Sequence, residues 1–118
     1  MRLKLETVER SETSAEEIEC ERWGLTARGI TRELALEFNL PDRLGVMVVG
    51  VKPNGPAFRA RLFAGDRIVA IEERAVSGLD ALREIYRDLD DSRAAEVLLI
   101  VMRRHSRRLV LVEASYEE

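Results

Sequence analysis

Few side chains in this sequence are of the types that carry covalent or metal chemistry. The 118 residues include one histidine and one cysteine. His105 lies in the basic run 103–108, without the carboxylate, histidine or cysteine partners that a catalytic or metal-binding role requires. No serine has a Gly-x-Ser-x-Gly or equivalent setting among the four that we considered: Ser14, Ser77, Ser92 and Ser106. The sequence therefore predicts no catalytic residue, no metal site and no cofactor.

Cys20 lies among glutamates, and an acidic neighbourhood disfavours the thiolate that a nucleophile needs. We therefore expect an inert thiol. A single cysteine excludes an internal disulfide and leaves the redox compartment open. The four arginines of the run 103–108 would suit an anionic surface, but a solvated hairpin tip is the simpler interpretation.

A different chemistry is indicated by the stretch Arg22-Trp23-Gly24-Leu25, which comes directly before the strand-like run 26–30. The glycine allows the backbone to turn so that neighbouring N–H groups point the same way. A concave row of amides of this kind is suited to a carboxylate or phosphate, and Trp23 and Leu25 would form apolar walls beside it. From these four residues alone, a tight turn between two strands is the favoured explanation of the pattern.

Composition limits the classes of partner. Hydrophobic residues make up 46% of the chain and charged residues 35%, as in soluble globular domains. The net charge of −3 provides no basic field for nucleic acid, and no apolar run approaches the ~20 residues of a membrane span. We expect neither nucleic-acid binding nor membrane insertion.

The first 21 residues differ from the rest of the chain. They contain three basic residues and seven glutamates, so the remaining 97 residues carry a net charge of +1. The alternation of Leu3, Leu5 and Thr7 predicts a short strand within residues 1–8, and 9–21 read as a solvated acidic linker. The stretch 14–17 also fits a capped helical turn. We therefore divide the chain into residues 1–21, a domain over 22–113 and a tail over 114–118.

The domain alternates apolar strands with helices. Thr31 is a candidate N-cap for a short helix over 32–38, whose Leu34 and Phe38 share a face that can pack inward. Pro56 can begin a second short helix. A longer helix is predicted from Gly78 to about Asp88, capped by Ser77. Its apolar stripe comprises Leu79, Leu82, Ile85, Tyr86 and Leu89.

Apolar runs predict five strands: 26–30, 45–51, 67–71, 95–102 and 109–112. A basic turn over 103–108 is predicted between the last two strands. This inventory predicts an α+β, mostly β fold. We expect a small, partly open five- to six-stranded β barrel or sandwich with two flanking helices.

Several motifs together resemble a PDZ domain of the kind found in bacterial HtrA-type proteases. They appear in the same order and spacing over residues 22–113: Trp23-Gly24-Leu25-Thr26, Leu40-Pro41 with Gly45-Val46, Val51-x-Pro53-x-Gly55-Pro56-Ala57, and Leu62-x-x-Gly65-Asp66-x-Ile68. Single pieces are weak signals, but the last two motifs in this register are a strong one. The PDZ-like fold is what this resemblance implies.

The resemblance also implies a function. PDZ domains bind the C-terminus of another protein as an added β-strand, with its carboxylate held by backbone amides. By position, Arg22, Trp23, Gly24 and Leu25 match the carboxylate-binding loop. The strand that pairs with the ligand matches Thr26, Ala27 and Arg28, and the helical wall matches Leu79, Arg83 and Tyr86. The pocket for the last ligand side chain is then formed by Trp23, Leu25, Ala27 and Tyr86.

Three positions depart from the family pattern. Trp23 is larger than the aliphatic residue usual before the loop glycine, so we expect it to fill or narrow the pocket. Leu79 replaces the histidine of groups that read a ligand hydroxyl, which favours an apolar ligand side chain. Gly29 is expected to bulge or weaken the edge strand.

The resulting prediction is a non-catalytic module that captures a protein C-terminus or an exposed apolar segment of an unfolded polypeptide. The parent is expected to be an HtrA-like serine protease. The compartment is unknown from the sequence itself, and the resemblance implies the periplasm or cell envelope. The alternative is a scaffold or oligomerisation domain whose groove is filled by its own chain, with homo-oligomers formed through residues 1–8.

Overall fold

The computed structural model describes residues 16–116. They form seven antiparallel strands and three helices, in this order along the chain: β1 Glu17–Cys20, β2 Leu25–Gly29, α1 Arg32–Glu37, β3 Val46–Val51, α2 Pro56–Arg59, β4 Arg67–Ile71, β5 Arg74–Ala75, α3 Leu79–Asp91, β6 Glu96–Arg103 and β7 Ser106–Glu113. The predicted strand within residues 1–8 lies outside the described residues. So do most of the predicted linker and residues 117 and 118.

All strands belong to one open sheet with the order β1-β2-β3-β4-β6-β7, and β5 pairs with β4. The mostly β, α+β fold expected from the sequence is confirmed, with seven strands and three helices where five to six strands and two flanking helices were expected. The added strands are β1 and the two-residue β5. Within residues 16–116, no helix is long and apolar enough to span a membrane.

The core lies between the sheet and the apolar face of α3. Leu82 and Ile85 of α3 are buried, and the other three residues of the predicted stripe are partly buried against the same cluster. In β3, Val46, Met47 and Val48 are all buried, as expected for a strand covered on both faces. The stripe prediction is therefore confirmed, and α3 is fixed across one end of the sheet.

Several local predictions were wrong in detail. The cap of α3 is Gly78, without a side-chain hydrogen bond, and the helix continues to Asp91. Thr31 does cap α1, because its Oγ1 accepts from the Leu34 amide at 3.1 Å. No residue of α1 is buried, however, and Phe38 is 47% exposed. The spacing of Leu34 and Phe38 predicts that they share a helix face, but it does not show whether another element packs against that face.

The basic turn is also shorter than predicted. Strand β6 extends to Arg103 and β7 begins at Ser106, so only residues 104 and 105 form the turn. Arg103 pairs with Ser106 across the hairpin. Arginines can therefore belong to strands when their side chains extend along an exposed face or meet a carboxylate.

Arg103 does meet a buried carboxylate. Its Nε donates to Oδ1 of Asp66 and its Nη2 to Oδ2, both at 2.8 Å. The Asp66 carboxylate also accepts from the Phe63 amide at 2.9 Å, and Asp66 is 2% exposed. This bidentate ion pair connects the turn before β4 to the end of β6, and with it these two neighbouring strands of the sheet.

We predict that Asp66→Ala lowers the free energy of unfolding by about 3 kcal/mol, because it leaves the Arg103 charge and the Phe63 amide without their partner. Asp80→Ala is the matched control, since the Asp80 carboxylate also pairs with an arginine but is 98% exposed. Urea denaturation of both variants measures the difference. Equal losses of unfolding free energy in the two variants would contradict the role assigned to the ion pair of Asp66 with Arg103.

Candidate functional site

The slot between β2 and α3 is the candidate site, and the chain's own β1 fills it. Strand β3 pairs with one edge of β2 and β1 pairs with the other. Helix α3 packs against both β1 and β2. The edge of β2 that was expected to receive a ligand strand is therefore already paired.

The pairing of β1 with β2 is antiparallel and continuous, so that Glu17, Ile18, Glu19 and Cys20 lie opposite Arg28, Ala27, Thr26 and Leu25. Alternate residues face opposite sides of the strand. Cys20 is fully buried and Ile18 packs against the core, whereas Glu17 and Glu19 are exposed. Strand β1 therefore presents two apolar side chains to the core, and its last residue lies next to the turn that leads into β2.

The amides of this turn bind the end of β1. The N–H groups of Trp23 and Gly24 both donate to the carbonyl oxygen of Cys20, at 3.0 and 2.8 Å. The row of amides that the sequence indicated as an anion nest thus holds a neutral backbone carbonyl. Gly24 has a φ of +72°, and a Cβ at this position would lie 3.0 Å from Cδ of Pro56, so both the backbone conformation and the close approach favour glycine here.

The turn is fixed from several directions by backbone hydrogen bonds. The carbonyl of Trp23 accepts from Ala57 at the start of α2, and that of Gly24 accepts from Lys52. The carbonyl of Arg22 accepts from Ser115, so the predicted tail forms part of the support for the turn. Three separate parts of the chain therefore hold the amides in place.

Arg22 and Tyr86 connect the turn to α3. The Arg22 amide donates to the Tyr86 hydroxyl at 3.0 Å, and its Nε donates to Oδ1 of Asp90 at 3.1 Å. The Tyr86 ring stands at 87° to the ring of Trp23, with 4.8 Å between their centroids. Edge-to-face packing of this kind is favourable for two aromatic rings.

Trp23 is 1% exposed and belongs to the hydrophobic core. Its indole is therefore part of the core and does not occupy the slot. The end of the slot is occupied by Cys20, the last residue of β1. Leu25 and Ala27 are also buried, on the face of β2 that is directed to the core. The resemblance implied a pocket formed by Trp23, Leu25, Ala27 and Tyr86. Of these, Leu25 and Ala27 lie opposite Cys20 and Ile18, and Trp23 and Tyr86 belong to or pack against the same core cluster.

The remaining predicted site residues are distributed differently. Leu79 is partly buried against the core at the start of α3. Arg83 is exposed and pairs with Asp80 of its own helix at 2.9 Å, so it lies outside the packed wall. The irregularity in β2 lies between Thr26 and Ala27, and Gly29 remains paired with β3; the expectation of a bulge at Gly29 was wrong.

Arg28 forms the polar side of the slot. Its Nη2 donates to Oε2 of Glu17, directly opposite on β1, at 2.6 Å. The Nε of the same guanidinium is buried and has no hydrogen-bond partner among residues 16–116. The ion pair therefore uses one donor of the fork and leaves another available.

Sequence reasoning missed the role of β1, because the glutamates of 16–21 indicated a linker. The alternation of Ile18 and Cys20 with Glu17 and Glu19 was the available signal, and it has the period of a half-buried strand. A helical turn was expected over 14–17, of which the structure describes residues 16 and 17. These two residues are not helical, since Glu17 begins β1. We propose that the domain begins before residue 17 instead of at residue 22.

An antiparallel sheet, a helix laid beside its outer strand and an amide turn between them are the elements of a PDZ domain. The family model described as PDZ domain matches residues 10–113, and this chain belongs to that family. Among solved structures, the HtrA3 PDZ domain bound to the phage-derived ligand FGRWV has a TM-score of 0.65 at 25% identity, with 86% of each chain covered. The HtrA-type protease AlgW with a decapeptide has a TM-score of 0.70 at 24% identity, over 88% of this chain and 30% of AlgW, and supports the fold.

The curated relatives are much longer proteins. The magnetosome formation protease MamE of Magnetospirillum gryphiswaldense is 34% identical over 63% of this chain and 10% of its own length. A probable periplasmic serine endoprotease, DegP-like, of Halomonas elongata is 44% identical over 47% of this chain and 12% of its own length. This chain therefore spans about a tenth of the relatives that it matches, and it corresponds to a PDZ domain of HtrA-type proteases.

The environment of Cys20 suits a neutral side chain. Burial, and to a smaller extent the charge of the neighbouring Glu19, raises the pKa of the thiol from about 9 to about 12. The folded state therefore keeps its proton at pH values where the unfolded chain has lost it. Stability from this group is complete below pH 9 and declines as the pH rises from 9 towards 12.

We predict that the free energy of unfolding falls between pH 9 and pH 12 by about 1.4 kcal/mol per pH unit more in the wild type than in Cys20→Ala. The comparison removes the contributions of tyrosines and arginines that both proteins share. Urea denaturation at a series of pH values measures the two slopes. Parallel slopes would show that Cys20 titrates alike in both states and is not enclosed by the slot.

Proposed function

We propose that this domain is a non-catalytic peptide-binding module that takes a C-terminal or exposed apolar segment by β-strand addition to β2, in exchange for β1. One observation carries the proposal. The slot beside β2 accepts an antiparallel strand whose last carbonyl is bound by the amides of Trp23 and Gly24. A peptide entering in the same direction would place its terminal carboxylate at those amides.

A free carboxylate would bind these amides more strongly than the Cys20 carbonyl does. Hydrogen bonds to a charged acceptor are roughly twice as strong as those between neutral groups. The resident strand has the opposite advantage of being tethered, which gives it an effective concentration on the order of millimolar. A peptide therefore displaces β1 only when its carboxylate and side chains together outweigh this tether, which makes the site selective and its apparent affinity modest.

The relatives support a wider context for the proposal. The DegP-like proteins of Halomonas elongata and Rickettsia prowazekii are named probable periplasmic serine endoproteases. We propose that this domain serves as a regulatory or substrate-recognition part of such a protease, in the periplasm or cell envelope. Its partners are then protein C-termini or unfolded polypeptide segments.

The single cysteine provides a direct test of strand exchange. A peptide selected on the full chain from a C-terminal display library is expected to bind with micromolar affinity in fluorescence anisotropy. Saturation with that peptide should accelerate the labelling of Cys20 by a thiol reagent at pH 8, because β1 leaves the slot and exposes the thiol. A C-terminally amidated form of the peptide should bind about tenfold more weakly, since it cannot make the charge-assisted bonds.

Two results would overturn this proposal. The first is a peptide that binds without changing the Cys20 labelling rate, which would place binding outside the slot. The second is a failure to select any peptide even on Glu17→Lys, a variant in which like charges at positions 17 and 28 weaken the hold of β1. The labelling rate of that variant without peptide shows independently that β1 has been loosened.

The occupied slot also favours a second candidate function, self-association by exchange of β1 between two copies. Only the four residues Glu21–Gly24 connect β1 to β2, and short connections under constraint invite exchange of a strand between protomers. The strand predicted within residues 1–8 remains an alternative means of association.

Size-exclusion chromatography with light scattering separates these possibilities. We predict a concentration-dependent dimer if β1 is exchanged, and its loss in Ile18→Asp, which cannot dock β1 in either copy. A dimer that is lost only when residues 1–8 are removed would assign the contact to that segment. A monomer at all concentrations would exclude the second function and leave peptide binding.

A further inference from the structure

We infer that Arg28 is a specificity residue of the groove, and that it selects peptides with an acidic residue three positions before their last residue. This inference rests on the proposed function and names the class of peptide that the same site takes. It treats β1 as an internal copy of the ligand. The preferred segment then has an acidic residue, an aliphatic residue, any residue and a small apolar residue at its end.

The register of β1 supplies these positions. If the last residue of a peptide takes the place of Cys20 opposite Leu25, the residue opposite Arg28 is the one that corresponds to Glu17. Side chains directly opposite each other on an antiparallel pair are close enough to interact. The contact of Glu17 with Arg28 at 2.6 Å shows that a carboxylate at this position reaches the guanidinium.

The guanidinium of Arg28 has unused capacity for a carboxylate. Glu17 binds only Nη2, and the buried Nε has no partner among the described residues. The pair of Arg103 and Asp66 in the same domain shows the fuller arrangement, with Nε and Nη2 each bonded to one carboxylate oxygen at 2.8 Å. A peptide that is not constrained by the turn after Cys20 can shift to make both bonds to Arg28, which adds geometric selectivity to charge.

The end position is small because aromatic side chains occupy the space around it. Cys20 is fully buried in the cluster that contains Trp23 and Leu25, and Tyr86 packs against this cluster. The indole of Trp23 is fixed against Tyr86 and cannot withdraw without breaking their packing. A side chain of the size of cysteine or valine fits there, and a larger ring would have to displace the core.

The position two residues before the end of the peptide, which corresponds to Ile18, takes an aliphatic side chain. Ile18 lies opposite Ala27, whose methyl group leaves room above β2, and it packs against the core together with Leu79 of α3. Glu19 lies opposite Thr26 and is exposed, so the residue before the end contributes little to selection.

The test compares two peptides on the full chain, Ser-Ala-Glu-Glu-Ile-Glu-Val and Ser-Ala-Glu-Lys-Ile-Glu-Val, both with a free C-terminus. They differ only at the residue expected to face Arg28. We expect the first to bind about fivefold more tightly, in the range of a partly exposed ion pair. The ratio of the two dissociation constants is the quantity to measure, because competition from β1 affects both peptides equally and cancels.

In Arg28→Glu this preference should reverse, so that the lysine peptide binds more tightly, and in Arg28→Gln the ratio should approach one. Arg74→Glu is the matched control, because Arg74 is a similarly exposed arginine in an ion pair on β5 and should leave the ratio unchanged. Higher salt should reduce the wild-type ratio. Circular dichroism and urea denaturation establish that each variant is folded before its ratio is used.

The outcomes separate this inference from the proposed function. An unchanged ratio in Arg28→Glu overturns the role of Arg28, even if both peptides bind. Failure of both peptides to bind, when library-selected peptides do, overturns the view of β1 as an internal copy of the ligand. Failure of every peptide, including on Glu17→Lys, overturns the proposed function itself.

Discussion

The carbonyl of Cys20 and the amides of Trp23 and Gly24 form the contact on which the site depends. Trp23 and Gly24 are both buried, and a buried amide without an acceptor costs about 1–3 kcal/mol. Some acceptor must therefore lie at this turn in any stable state of the domain. In the structure the acceptor is the end of β1, and a peptide carboxylate is the acceptor that would replace it with the smallest loss.

This requirement explains why a strand of only four residues is held in the slot. Its ion pair between Glu17 and Arg28 is partly exposed, and a pair of this kind contributes at most about 1 kcal/mol to stability. The burial of Cys20 and Ile18 and the shared backbone bonds provide most of its attachment. Strand β1 is nevertheless the edge strand of the sheet, and Cys20 is its only residue that belongs to the buried core cluster. Local opening of an edge element costs less than global unfolding. The proposed exchange depends on this difference, because β1 would have to leave while the rest of the sheet remains.

The sequence predicted the elements that are defined by their own apolar pattern and by turn residues. The stripe of α3, the β-branched run of β3 and Pro56 at the start of α2 are all where they were expected. Elements whose conformation depends on residues distant in the sequence were missed. Glu17 and Glu19 made β1 resemble a linker, although their exposure is what a half-buried edge strand requires. Arg103 was placed in a turn, because the sequence cannot show that Asp66, 37 positions earlier, lies beside it.

The same distinction applies to the candidate site. The amide turn and β2 were indicated by Gly24 and its neighbours, because backbone geometry follows from local residue types. The occupant of the slot depends on which segment outcompetes the others for β2, and this is a balance between tethering and side-chain fit that local patterns do not contain. Trp23 illustrates the point: its size suggested a plug, whereas packing against Tyr86 holds it in the wall. In the proposed site, the indole would therefore limit the terminal side chain of a peptide to a small one without closing the groove, and Cys20 is a residue of that size.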